Sequence, residues 1–275
     1  MLRKGDLTQG GITGTLLHFT LPMMVGSFLQ QCYNIADTLI VGQCIGAGAL
    51  AAVGSAYTLM VFLISVLLGL AMGSGTVFSL HYGAGNHVAL RRSIFSSFAL
   101  IGIVTLILNV VVFIWLDPIL RLLQVPQDIY GMMRSYLWII FCGIVFTFIY
   151  NFYASLLRAV GDSVTPIWFL AVSVVLNIAL DLFFILQLDW GIQGAAAATV
   201  LAQGVAALGI IIYTYRRRPE LRWHHEDMCF DRTCLKEIAS FSTLTCVQQS
   251  VMNLGILMIQ GLVNSFGTCL LYTSP

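Results

Sequence analysis

Long apolar stretches run the length of this chain, broken by short clusters of glycine, proline, asparagine and charged residues. A helix that crosses a bilayer needs about 20 mostly apolar residues. Seven stretches meet that length: 14–45, 51–80, 94–116, 134–158, 164–187, 191–215 and 237–263. The breaks carry turn chemistry: Gly46-Ala47-Gly48, Gly83-Ala84-Gly85-Asn86, Asp117-Pro118, Gly161-Asp162, Asp189-Trp190-Gly191 and the polar segment 216–236. The pattern predicts an all-α, polytopic transmembrane helix bundle. A six-helix lobe would occupy 1–215, a loop 216–236, and a seventh span 237–275.

Composition agrees with the pattern. Of 275 residues, 59% are hydrophobic and only 9% charged, and the mean hydropathy is +0.90. A soluble domain carries about 25% charge because its surface faces water, so most of this surface is expected to face lipid in a cell (inner or plasma) membrane. The net charge of +1 points to no partner. The seven cysteines are scattered through apolar runs without redox spacing and read as small fillers rather than a disulfide framework. No cleavable signal peptide is evident, since the first apolar stretch far exceeds a signal core.

Charge distribution is more telling than its sum. With the N-terminus inside, the cytoplasmic segments hold Arg3, Lys4, Arg91, Arg92, Arg158, Arg216, Arg217, Arg218, Arg222, Arg232 and Lys236, eleven of the thirteen basic residues. Only Arg121 and Arg134 fall outside, which predicts a cytoplasmic N-terminus. The run Arg216–Arg218 reads as a juxtamembrane anchor on anionic lipid and calls for no nucleic acid. Nearby His224, His225, Cys229 and Cys234 match no zinc spacing, and no metal site is expected there.

Gln30-Gln31, with the apolar run after it, resembles Gln248-Gln249 and its following run. Six spans separate the two, so both enter the membrane in the same direction, as in two parallel six-helix repeats. Only one span of the second repeat would then be present. The expectation is a truncated fragment whose seventh helix leaves one face unpartnered.

Twelve acidic residues occur, and ten lie in loops or at span ends. Asp37 and Asp181 are the exceptions. A charged Asp near a helix centre costs about 2.5–3.5 kcal/mol on insertion scales, and such residues persist where they have partners or line a wet cavity. At 1.5 Å rise per residue, Asp37 lies roughly 10 Å, Asp181 roughly 9 Å and Thr199 roughly 6 Å to the outer side of the mid-plane. Asn177 sits one turn from Asp181 on the same helix face. Asn151 falls modestly on the inner side, within expected reach of Asn177, and Tyr33 and Asn34 precede Asp37 by one turn. Two carboxyls in one chamber would titrate as a unit. An oxygen-only set suits H⁺ or Na⁺ and no softer metal. Taken singly, the amides and the hydroxyl also fit interhelical hydrogen bonding.

At these positions the chain resembles the multidrug and toxic compound extrusion (MATE) family. The residues that carry the resemblance are Leu21-Pro22, Gln30 to Thr38, Gly42, Ala49 to Gly54, Leu157 to Asp162 with Pro166, Asn177 to Asp181, and Gly191 to Ala196. The resemblance implies an antiporter of two six-helix lobes that expels amphipathic, often cationic drug-like compounds by alternating access, in exchange for H⁺ or Na⁺. It implies a cation-coupling set at Asp37, Asn177, Asp181 and Thr199, and a cavity lined by Tyr33, Asn34 and Asn151. The coupling ion stands in place of any cofactor, and the partners are drug, membrane lipid and the missing second lobe. Beyond Glu237 at its first position, the seventh span carries no carboxylate, which favours coupling through the first lobe.

Three other readings remain, one of them a structural fragment that does not transport. A flippase for lipid or lipid-linked sugar shares the helical plan, but would want a cationic central cavity, and no basic residue lies deep in these spans. A membrane-embedded enzyme would need a nucleophile or metal cluster. His18, His81 and His87 sit near span ends with no carboxylate expected to converge on them.

Overall fold

The computed structural model describes residues 12–222 and 232–265, all in helices or short connections, with no strand among the described residues. Eight α-helices follow in order: α1 Ile12–Cys44, α2 Ala47–Gly83, α3 His87–Leu122, α4 Gln127–Cys142, α5 Ile144–Ala159, α6 Val164–Leu182, α7 Gly191–Arg217 and α8 Arg232–Ser265. A π-helical turn, Phe183–Gln187, extends α6, and a 3₁₀ turn, Pro219–Leu221, follows α7.

In lipid every backbone polar group must be satisfied within the segment, and continuous helices do this. Helices α2, α3, α6 with its π turn, and α7 are each long and apolar enough to cross a bilayer, and α4 with α5, bent by 50° at their junction, is so as a pair. The sequence pattern had this fourth span as one rod. Gly143 divides it. Helices α1 and α8 are of similar length, at 33 and 34 residues. The expected break at Asp117-Pro118 is not a break. Pro118 lies inside α3, which runs on to Leu122, while Asp117 reaches Arg134 (2.8 Å) and Tyr130 (2.9 Å) of α4. A proline so near a helix end forfeits one backbone bond without ending the helix.

The interior is formed chiefly by α2, α3, α4 and α5, with α7 packed beside them, and an aromatic cluster of Phe78, Phe98, Phe148 and Phe152 ties α2, α3 and α5 together. Helix α3 turns Ile103, Leu106, Ile107, Val110, Ile114 and Trp115 outward. An apolar exterior of this kind belongs against acyl chains.

Helix α8 is partnered on one side, while Leu244, Val247, Val251, Met252 and Met258 stay exposed. Its first half lies along α2. A Cβ placed on Gly69 would come within 2.4 Å of Cys246 Cα, and one on Gly73 within 2.3 Å of Ser242 Cα. Small residues four apart on both helices bring the backbones together, the usual basis of helix pairing where no hydrophobic drive exists. Ser242 also donates to the Leu70 carbonyl (3.2 Å). His81 Nε2 meets Glu237 at 3.4 Å, so a carboxylate does converge on that histidine.

Basic residues gather at the end of the bundle where α2, α5 and α7 finish. There Asp162 accepts the Thr165 N–H in the first turn of α6 (3.0 Å) and meets Arg218 at the end of α7 (3.5 Å). The segments Met1–Gly11 and Cys269–Pro275, and the residues His224, His225 and Cys229, lie outside the described residues. Cys234 is buried beside Ser93.

Candidate functional site

Three helices bring the buried polar residues to one point. On α1, Tyr33 and Asp37 are one turn apart and share a face. Asp37 is 8% exposed while its neighbours Ile35 and Leu39 are 59% and 55% exposed, so the carboxyl faces inward and the aliphatic side chains face lipid. On α6, Asn177 and Asp181 show the same spacing, and both are fully buried. On α7, Thr199 is buried and turned toward them.

The contacts join all three helices. The Tyr33 hydroxyl donates to Thr199 Oγ1 at 3.3 Å. The Asn177 amide is best satisfied with its nitrogen donating to Asp181 Oδ2 (2.9 Å) and its oxygen accepting the Thr199 N–H (3.2 Å). In the opposite orientation its nitrogen lies 3.3 Å from Thr199 Oγ1. The carboxyls of Asp37 and Asp181 are within hydrogen-bonding reach of each other. One oxygen on each, Asp37 Oδ1 and Asp181 Oδ1, is buried without a donor among the described residues. Two adjoining carboxyls in low dielectric cannot both stay charged and unpaired. The chemistry that satisfies them is a shared proton or a small hard cation, and the donor set of carboxylate, amide and hydroxyl oxygens suits either.

The backbone around the site is irregular where it matters. The π turn Phe183–Gln187 begins two residues after Asp181. Such turns interrupt the regular ladder and occur often at functional positions. Phe184 of this turn stacks on Trp190 (5.0 Å), which anchors the end of α6 to the start of α7.

Of the positions singled out from the sequence, Asp37, Asn177, Asp181, Thr199 and Tyr33 come together. Asn34 and Asn151 do not join them. Asn34 donates to Gln31 Oε1 and to the Tyr57 hydroxyl of α2, both at 3.2 Å. Asn151 donates back to the Thr147 carbonyl of its own helix (2.8 Å) instead of reaching Asn177. Sequence reasoning missed Tyr136. This buried phenol of α4 lies within electrostatic range of Asp37, Tyr33 and Asp181. A straight fourth span would hold it about 15 Å to the outer side of the mid-plane, about 5 Å beyond Asp37 and within the length of a phenol side chain. A search for hydroxyl-bearing aromatics in apolar runs would have raised it.

A polytopic helical membrane protein with a buried carboxylate pair is the class that this fold and site define. Comparison with known proteins makes the assignment specific. The MatE family model matches residues 22–183, and the chain belongs to that family. The probable multidrug resistance protein YpnP of Bacillus subtilis is 32% identical over 273 residues, 97% of this chain and 59% of that protein. The multidrug export protein MepA of Staphylococcus saprophyticus is 31% identical over 210 residues, 74% of this chain and 45% of its own length. A MATE family multidrug resistance transporter solved in its outward-facing conformation superposes with a TM-score of 0.86 at 24% identity, covering 93% of this chain and 57% of that one. An inward-facing structure of such a transporter gives 0.80, covering 94% and 59%. The chain thus spans about three-fifths of the length of YpnP and less of MepA.

Proposed function

We propose that this chain supplies the first lobe, residues 1–215, the connecting loop 216–236, and the opening helix of the second lobe, 237–275, of an exporter of amphipathic or cationic compounds. Export is driven by H⁺ or Na⁺ moving inward and proceeds by alternating access. The coupling ion binds at Asp37, Asn177, Asp181 and Thr199, with Tyr33 closing the cluster. The N-terminus is cytoplasmic, a reading supported by the gathering of arginines at one end of the bundle.

The observation that carries the proposal is the meeting of two buried aspartates from separate helices, each with one oxygen lacking a donor among the described residues. A cation or proton resolves that frustration, and its departure restores it. Binding and release therefore change how α1 and α6 pack, which is the differential energy that any two-state cycle requires. The multidrug functions named for the relatives support drug-like substrates. The apolar, adaptable walls expected of such a cavity do not single out one compound.

The test uses the protein in its full-length context, reconstituted in liposomes with a lipophilic cationic dye. A pH gradient and a Na⁺ gradient are imposed separately. The gradient that drives dye movement identifies the ion, and Asp37→Asn should abolish that movement while leaving membrane insertion intact. Undiminished efflux by the variant would refute the site.

A further inference from the structure

The bend between α4 and α5 is built from several independent contacts, and they lead to the cation site. Gly143 sits at the bend with Val200 of α7 directly against it. A Cβ there would lie 2.5 Å from Val200 Cγ2, 2.6 Å from Cγ1 and 3.0 Å from its Cβ. Because both branches and the Cβ are close, no rotation of the stiff β-branched side chain clears the space. A helix break also frees backbone carbonyls that lipid cannot satisfy. Here Asn109 of α3 donates to the freed Phe141 carbonyl at 2.6 Å. One turn along α5, the Thr147 hydroxyl donates to Gln203 Oε1 of α7. Val200 is the immediate neighbour of Thr199, whose hydroxyl meets Tyr33 and whose backbone N–H lies 3.2 Å from Asn177.

We infer that Gly143, braced by Asn109, is a positioning residue for the cation site. The absent side chain lets α7 close onto the α4–α5 bend, and this sets Thr199 opposite Tyr33 and Asn177. The inference rests on reading the buried cluster as a cation site. Carbon atoms rest at about 3.5 Å or more, so a methyl at 143 must displace α7 by about 1 Å. The Tyr33 contact is already 3.3 Å long. It does not survive a shift of that size away from its partner, and toward Asn177 the interior is fully packed.

The experiment measures cation-linked stability of the purified full-length protein, which needs no transport. Tm is followed through a Na⁺ titration at fixed pH, with choline as replacement, and through a pH titration at fixed Na⁺. Gly143→Ala should move the midpoint of whichever titration stabilises the native protein by about three- to tenfold, the loss expected for one hydrogen bond. Adding Val200→Ala should return it to within about twofold, because the clash is removed at its other side. Asn109→Ala should move the midpoint in the same direction as Gly143→Ala, which keeps the test open if the alanine at 143 does not fold. An unchanged midpoint in folded Gly143→Ala, or a shift that Val200→Ala does not reverse, overturns the positioning role alone. A native protein whose Tm responds to neither ion overturns the cation-site reading and this inference with it.

Discussion

Replacing Thr199 with valine removes one hydroxyl and keeps the branched shape, so it isolates what that oxygen contributes. In the native protein Thr199 Oγ1 accepts from the Tyr33 hydroxyl at 3.3 Å and, with the Asn177 amide in its better-satisfied orientation, lies 3.3 Å from the amide oxygen, to which its hydroxyl can donate. Side-chain hydrogen bonds between membrane helices average about 0.6 kcal/mol and reach about 1.7. The Tyr33 hydroxyl, left buried without its acceptor, adds to the loss. The total comes to about 1–2 kcal/mol, a factor of roughly 5–30 in an equilibrium constant. The assay is the concentration of Na⁺ or H⁺ that half-stabilises the purified full-length protein, read from Tm. Thr199→Val should raise the required concentration by that factor, and Thr199→Ser, which keeps the oxygen, should stay within about threefold of native. If the valine protein titrates like the native one, or if serine is as impaired as valine, the hydroxyl is not part of the site.

Two further substitutions probe the frame around the site. Gly73→Val forces a branched side chain onto the backbone of Ser242 and should cost at least the 1–3 kcal/mol or so of an overpacked core. A lowered Tm with loss of α2–α8 cross-linking would register it, and an unchanged Tm would mean that the helices do not approach so closely. Asp162→Ala removes the acceptor for the Thr165 N–H and the partner of Arg218. It should cost about 0.5–2 kcal/mol, typical of a lost cap. Asp162→Asn, which can still accept the N–H, should recover most of the loss in the same thermal assay.

Periodicity and composition by themselves determined that this is a helical membrane protein, because an apolar run of sufficient length has few other destinations. They also placed Asp37, Asn177, Asp181 and Thr199 at similar heights along their spans, and the structure brings these four together. Azimuth and neighbour order are different. Nothing local states which helix faces which, so only the tertiary structure decided that Asn34 turns to Tyr57 and Asn151 to its own helix. Only the fold seated α8 against α2, since small residues mark a possible close approach without naming the partner. The bend at Gly143 lies in an apolar run that reads as continuous, and it is specified by Val200 and Asn109 from other helices. Height along the membrane is a one-dimensional property of the chain. A binding site also needs direction, and direction comes from packing.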